Sequence, residues 1–190
     1  MINEKIKIVH ALEATLGGTK KYCIDFLSRI NTERFDVTFV FSTHRADERF
    51  QFDLEALGKR GVTLKEIQMV RNIHPLKDII SFIRMLLFLG SLDYSIIHLH
   101  SSKAGFLGRL ASKLVNRKAE TIYQPHSLAS RLGKHYLFLE RFAGLFTDFI
   151  IADSTSEAEY IKKNRVIAGE KVVTVNVGIE LENQDEEDTF

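Results

Sequence analysis

Cysteine is almost absent from this sequence. Cys23 stands alone among 190 residues, so no internal disulfide can form. That excludes a disulfide-stapled secreted scaffold and makes a reducing, cytoplasmic setting the expectation. Proline occurs only twice, while 45% of residues are hydrophobic and 27% charged, which excludes collagen-like and disordered classes. No run of about 18 apolar residues occurs, so no transmembrane helix is expected. The first apolar stretch, residues 6–12, is short and broken by Lys7, unlike a secretory signal. Neither a G-x-G-x-x-G fingerprint nor a Walker loop is present. What remains is an ordinary globular composition, at a length that suits one domain of roughly 100–200 residues.

Basic residues are missing from the end of the chain. All 26 Lys and Arg lie at or before Lys171, whereas Glu180, Glu182, Asp185, Glu186, Glu187 and Asp188 crowd the last eleven positions. Residues 1–179 therefore set 26 basic against 19 acidic side chains, a net +7. A body of that sign suits an anionic partner such as a phosphate, a nucleotide or a lipid headgroup. A solvated surface of mixed charge accounts for it equally well. Residues 180–190 are polar and unpatterned and read as a frayed acidic tail, leaving residues 1–179 as one domain.

Short β-branched runs alternate with longer helical patterns. Strands are expected over 5–11, 36–41, 62–67, 94–99, 120–123, 148–152 and 171–175. Helices are expected over 19–30, 50–60, 75–92, 103–116, 135–146 and 154–164, with Thr19 as a cap and Pro75 in a first turn. The fourth and sixth strands are nearly continuously apolar, as strands covered on both faces are. Such alternation predicts an α/β fold: a Rossmann-like, doubly wound, mostly parallel sheet of about seven strands with helices on both faces.

Ligands of such sheets bind outside the carboxyl ends of the strands. After the first strand comes Glu13-Ala14-Thr15-Leu16-Gly17-Gly18-Thr19. Two glycines before a helix let backbone approach a ligand, and the helix start offers free N–H groups to an anion. A glycine turn that merely redirects the chain is the plainer alternative. The fourth strand runs into His98-Leu99-His100-Ser101-Ser102-Lys103. His98 and His100 share a strand face, but no third metal ligand sits at a diagnostic spacing. His98 reads as a core histidine, whereas His100, Ser101 and Ser102 are expected to reach the crevice. Ser101 or Ser102 is a candidate helix cap. Lys103 reads equally as a solvated residue or an anion ligand. After the fifth strand, Pro125 orients His126, which suits a sugar hydroxyl contact or acid–base chemistry. A loop histidine capping a turn is the alternative. Arg131, Lys134 and His135 add positive potential. Ser154-x-x-Glu157 fits a capping box. The helix from Pro75 is apolar around more than one face, and suits a partner domain or a membrane interface with Lys77 and Arg84 near headgroups. A well-buried helix with a few exposed apolar residues is the alternative.

The order of these motifs resembles the N-terminal domain of the retaining glycosyltransferases of family four, which have the GT-B fold. The resemblance covers residues 5–180. It rests on Leu12-Glu13-Ala14-Thr15-Leu16-Gly17-Gly18, Arg34-Phe35-Asp36-Val37, Met69-Val70-Arg71 and Ile73-His74-Pro75. Its most specific stretch is Ile97-His98-Leu99-His100-Ser101-Ser102-Lys103-Ala104-Gly105, similar to a segment of capsular and exopolysaccharide transferases. Pro125-His126, Phe146-Thr147-Asp148 and Ala152-Asp153-Ser154 follow in order.

The resemblance implies a nucleotide-diphosphate sugar as donor and a glycan or lipid-linked sugar as acceptor. It implies no bound cofactor, no metal and no nucleic acid partner. Gly17, Gly18 and Thr19 would lie against the donor phosphates, and His126 against the donor sugar near the reacting carbon. Lys103 and Ser102, with His100, Ser101 and Arg131 nearby, would contact acceptor or phosphate. The family's second domain, which binds the nucleotide, would need about another 150–200 residues. The joining loop departs from the usual Asn-Gly-Ile-Asp, reading Asn176-Val177-Gly178-Ile179-Glu180. The expectation is the acceptor-side half of a transferase of cell-surface polysaccharide assembly, inactive as this chain alone and working at the cytoplasmic face of the membrane. Two alternatives stand beside it: a non-catalytic glycan- or partner-binding module, or one subunit of a split glycosyltransferase.

Overall fold

The computed structural model describes residues 4–178, so the expected acidic tail lies outside the described residues. Seven strands form one sheet: β1 (Ile6–Leu12), β2 (Phe35–Phe41), β3 (Thr63–Glu66), β4 (Ile96–His100), β5 (Glu120–Gln124), β6 (Phe149–Ala152) and β7 (Val172–Thr174). Their order is β3-β2-β1-β4-β5-β6-β7 and every pairing is parallel. Six α-helices connect them: α1 (Gly17–Arg29), α2 (Phe50–Lys59), α3 (Pro75–Gly90), α4 (Ser102–Val115), α5 (Lys134–Gly144) and α6 (Thr155–Lys163). The doubly wound α/β fold expected from the alternation is what forms.

Strand alternation sorts the core into two layers. Val9 and Ala11 of β1, with Ile97 and Leu99 of β4, face Met85 and Leu89 of α3 and Ala104, Leu107 and Ala111 of α4. Ile8 and Leu12 face the opposite way, onto Cys23 and Leu27 of α1 and Leu54 and Leu57 of α2. Each such leucine, fully buried, contributes about 1.5–3 kcal/mol. Burial also pushes the Cys23 thiol far above its ordinary pKa.

Two glycines decide how closely α4 lies on the sheet. A Cβ at Gly105 would collide with the Tyr123 ring, and one at Gly108 with the Leu99 side chain. Next to Gly108, Arg109 is fully buried: its guanidinium sits 4.0 Å from the Tyr123 ring centre and pairs with Glu140 of α5 at 2.8 Å. Tyr123 donates its hydroxyl to the other Glu140 oxygen at 3.1 Å. A buried charge so neutralised ties α4, α5 and β5 together, and truncating one partner would cost about 3–5 kcal/mol.

Some expected boundaries move. Helix α1 starts at Gly17, so Thr19 lies within the first turn and is not its cap. Pro75 does open α3, with His74 accepting a hydrogen bond from the Lys77 N–H at 3.4 Å. The capping box forms as read: Ser154 Oγ accepts from the Glu157 N–H, and Glu157 accepts from the Asp153 N–H. Helix α3 buries only Ser81, Met85 and Leu89, while Leu76, Ile79, Ile80, Ile83 and Leu87 are exposed, Leu76 at 71%. The helix is therefore not well buried, and its apolar face stands exposed.

Candidate functional site

Because the sheet is parallel, all strand ends that carry motifs open on one edge. Beyond β1 the chain passes to β2 on one side, and beyond β4 to β5 on the other, which leaves a crevice between the two connections. Three successive strands of this region end in a left-handed residue: Gly17 after β1 (φ 71°), Ser101 after β4 (φ 68°) and His126 after β5 (φ 57°). Gly17 adopts this freely. Ser101, with ψ 157°, occupies a region used almost only by glycine, at a cost of about 1–3 kcal/mol. Strain of this kind persists where surrounding contacts impose it. Here Ser101 Oγ accepts from the Glu13 N–H at 3.3 Å, and the Ser101 carbonyl accepts from Gly105 N–H at 2.8 Å.

Neither α1 nor α4 has a side-chain cap on its first turn. Ser101 holds the N-cap position of α4 but spends its hydroxyl on Glu13. Gly17 and Gly18 are exposed, with open space where a Cβ would stand. The positive ends of two helices thus face the crevice.

Beneath that edge lies a row of histidines on the α1 side of the sheet. Parallel register sets His10 of β1 directly beside His98 of β4, and Leu12 beside His100. Asp153 accepts from His126 Nδ1 at 2.8 Å. His126 Nε2 lies 3.1 Å from His100 Nδ1, and His100 Nε2 lies 3.2 Å from His10 Nδ1. Reading protons outward from the carboxylate assigns the tautomers: each ring donates through Nδ1 and accepts through Nε2. The row ends at His10 Nε2, buried without a partner, and His98 Nε2 is likewise unpartnered. Burial, with the neighbouring histidines, holds His10 and His100 well below the ordinary histidine pKa, and burial together with His126 lowers His98 to about 3. Burial alone would raise Asp153; hydrogen bonds from His126 and Gln124 outweigh it and hold the carboxyl below the usual range.

This places the sequence-derived residues. His100 is fully buried, not open to the crevice, because its strand face is covered by Tyr22 and Phe26 of α1. Ser101 is buried too. Ser102 is half-buried as the first residue of α4. Lys103 is neither solvated nor free for an anion: its ammonium donates to Asp78 of α3 at 2.7 Å and to the Asn72 carbonyl at 3.1 Å. His126 has a side chain only 5% exposed, and both ring nitrogens are committed within the row. The atoms it presents outward are those of its left-handed backbone. Arg131 rests its guanidinium 4.9 Å from the Tyr160 ring and lines a cavity of about 230 Å³ with His126, Asp153 and Ser156.

Sequence reasoning missed His10, which supplies the third histidine of a buried trio whose nitrogens lie within 4.8 Å of one another. Hydrogen bonding joins only His10 and His100 of the three, and His98 adjoins them through ring contacts, its centroid 5.2 Å from that of His10 and 4.1 Å from that of His100. It also missed Asp153 as the partner of His126, and Glu13, Arg45 and Arg71 as a charged group over β1. Their only signal was position, one or a few residues beyond a strand end.

A curated relative, UDP-Gal:alpha-D-GlcNAc-diphosphoundecaprenol alpha-1,3-galactosyltransferase of Escherichia coli, is 26% identical over 193 residues, 95% of this chain and 46% of that protein. An uncharacterised 41.2 kDa protein from the cps region of Klebsiella pneumoniae is 36% identical over 110 residues, 50% of this chain and 30% of that protein. Among solved structures, Anabaena HepE in complex with UDP and glucose superposes with a TM-score of 0.69 at 17% identity, over 92% of this chain and 45% of that one. The chain therefore spans about half the length of such proteins, or less. The last likeness shows the fold alone, a Rossmann-like half of a GT-B architecture. The model of Glycosyltransferase Family 4 matches residues 16–183, and with most of its length covered the chain belongs to that family.

Proposed function

We propose that the chain is the acceptor-side half of a retaining transferase that moves a sugar from a nucleotide diphosphate to a glycan or lipid-linked sugar during cell-surface polysaccharide assembly. The carrying observation is the uncapped α1 terminus at Gly17 and the left-handed His126 backbone on the same edge of the sheet, at strand ends one strand apart, with Tyr22 of α1 4.6 Å from the His126 ring. In this reading Gly17, Gly18 and Thr19 meet the donor phosphates. The outward His126 peptide lies against the donor sugar, where a fixed dipole stabilises positive charge developing at the reacting carbon. The row behind it keeps that peptide in place. A second domain holds the base and ribose, and the chain by itself does not turn over. No metal, bound cofactor or nucleic acid enters this reading.

The exposed apolar face of α3, with Lys77 and Arg84 on the same helix, supports peripheral docking at the cytoplasmic membrane face, where a lipid-linked acceptor resides. Among the described residues no helix is long and apolar enough to cross a membrane. Co-sedimentation with anionic liposomes is expected at low salt and reduced at high salt, because exposed charges are screened. Absence of binding at low salt removes the membrane role from α3.

Holding donor and acceptor together contributes up to about 7–11 kcal/mol to such a reaction, and one half of a cleft supplies little of it. The test incubates residues 1–190 with a panel of nucleotide sugars and acceptors, with and without the second half of a family relative. Nucleotide release is expected only from the pair, with His126→Ala lowering kcat more than it raises KM. Robust release by the chain alone overturns the half-enzyme reading.

A further inference from the structure

One buried carboxylate in the crevice has no role so far. Glu13 follows β1 and is 3% exposed. Its Oε1 accepts no hydrogen bond. The nearest cation, Arg45, holds a guanidinium nitrogen 3.5 Å away without the alignment a hydrogen bond requires. Burial pushes the Glu13 carboxyl above its usual range, against the opposing charges of Arg45, Lys103 and Arg71. These cations follow β2, β4 and β3 respectively, at ends of the same parallel sheet as Glu13. Lys103 is already paired with Asp78. Arg45 is partly exposed and Arg71 exposed. A buried acceptor lacking a donor is costly to keep, and an incoming hydroxyl removes the cost. Sugars bring hydroxyls, and the two outer guanidiniums bring the complement of a phosphate.

We propose that Glu13, Arg45 and Arg71 form a subsite for a phosphorylated saccharide, in which Glu13 accepts a hydrogen bond from a sugar hydroxyl while the two arginines take the phosphate. The hydroxyl displaces Arg45 outward, and the freed guanidinium turns to the anion. This rests on the sugar-transfer reading and deepens it by naming the group that grips the sugar. The acceptor's phosphate is the favoured source, because Lys103–Asp78 ties this corner to the first turn of α3, whose apolar face suits a lipid tail.

The experiment titrates the intact chain with N-acetylglucosamine 1-phosphate and with inorganic phosphate, read by amide chemical shifts. Glu13→Gln is expected to weaken the sugar phosphate at least tenfold and to leave inorganic phosphate unchanged. Arg45→Gln with Arg71→Gln weakens both. Thermal melting accompanies each titration: Glu13→Gln removes a desolvated charge and should keep or raise Tm, whereas a Glu13 that merely anchors Arg45 would lose Tm and leave binding alone. Equal affinity in Glu13→Gln overturns the proposal, as does failure of the natural chain to bind the sugar phosphate at tens of millimolar. The arginine variant, altered on outer side chains, decides the matter should Glu13→Gln not fold: unchanged binding there also overturns it. Competition with UDP separates the sources, since displacement assigns the subsite to the donor and its absence to the acceptor. Glu13-dependent binding without any transfer by the reconstituted pair would sink the transfer reading and leave this subsite standing. Transfer with an acceptor KM indifferent to Glu13→Gln would do the reverse.

Discussion

Strands β1 and β4 bury two unlike surfaces. Toward α3 and α4 they present Val9, Ala11, Ile97 and Leu99 to other apolar side chains, closely enough that Leu99 leaves room only for a glycine at position 108 of α4. Toward α1 the same strands present His10 and His100, hydrogen-bonded in a row that ends in unpartnered nitrogen, with His98 packed beside them. The first surface is what stability selects, because dry close packing gains from every contact. The second has exchanged such gain for fixed polar geometry, and it is the one that runs out to Asp153 and His126 at the crevice. The difference teaches where this domain accepts instability and for what end: the strained, polar side is the side that ends at a site.

Acid should break the comparison most sharply. In the folded chain His98 titrates near 3, and His10 and His100 well below the ordinary 6.5, so all three stay neutral while the unfolded chain takes up their protons. The unfolded state then binds more protons, and stability rises with pH. The histidine contribution is complete above the unfolded value near 6.5 and is lost as pH falls toward about 3. At pH 5 the loss from His98 is about 2 kcal/mol, and His10 and His100 add to it in the same direction. Urea denaturation at pH 7, 6 and 5 measures it. A flat profile would mean that the row is charged or open to water.

Paired substitutions on one strand sharpen the contrast. Leu99→Ala should lose about 2–5 kcal/mol, because it empties the packed side. His98→Leu, one residue away on the other side, should be close to neutral or stabilising, since it removes an unpartnered buried nitrogen, and it should flatten the acid profile. Equal losses in the two variants would erase the distinction between the layers.

The smallest effect concerns Ser101. Ser101→Gly relieves the left-handed strain and forfeits the bond to Glu13 N–H, so a net gain of about 1 kcal/mol is expected, or about 2–4 °C in Tm. Its transfer rate in the reconstituted pair should fall as the crevice loosens. Destabilisation by the same amount would show that the hydroxyl bond outweighs the strain.

Much of this architecture was legible beforehand. Runs such as Ile96-Ile97 and Phe149-Ile150-Ile151 announce buried parallel strands, Pro75 fixes a helix start, and Ser154 with Glu157 marks another. The start of α1 was misread because Thr19 is a good capping residue in isolation, whereas the glycines at 17 and 18 let the helix begin two residues sooner. The site was less legible because its partners are remote in sequence. His10 meets His98 across 88 positions only because the winding reverses between β1 and β4. Nothing local to Lys103 tells that Asp78 will consume its charge. Strand pairing had to be known before polar residues of one phase could be seen as one row.

Cys23 turns the layer above the histidines into something that can be timed. It is the only thiol in the chain, it is fully buried on the sheet-facing side of α1, and burial keeps it protonated. A thiol reagent in solution therefore reacts only during the moments when α1 lifts from the sheet. Where closing outpaces labelling, the labelling rate divided by that of a free thiol gives the fraction of molecules lifted. A single spectroscopic trace thus reads how often the lid over the row comes away, with no engineered probe and no second signal to subtract.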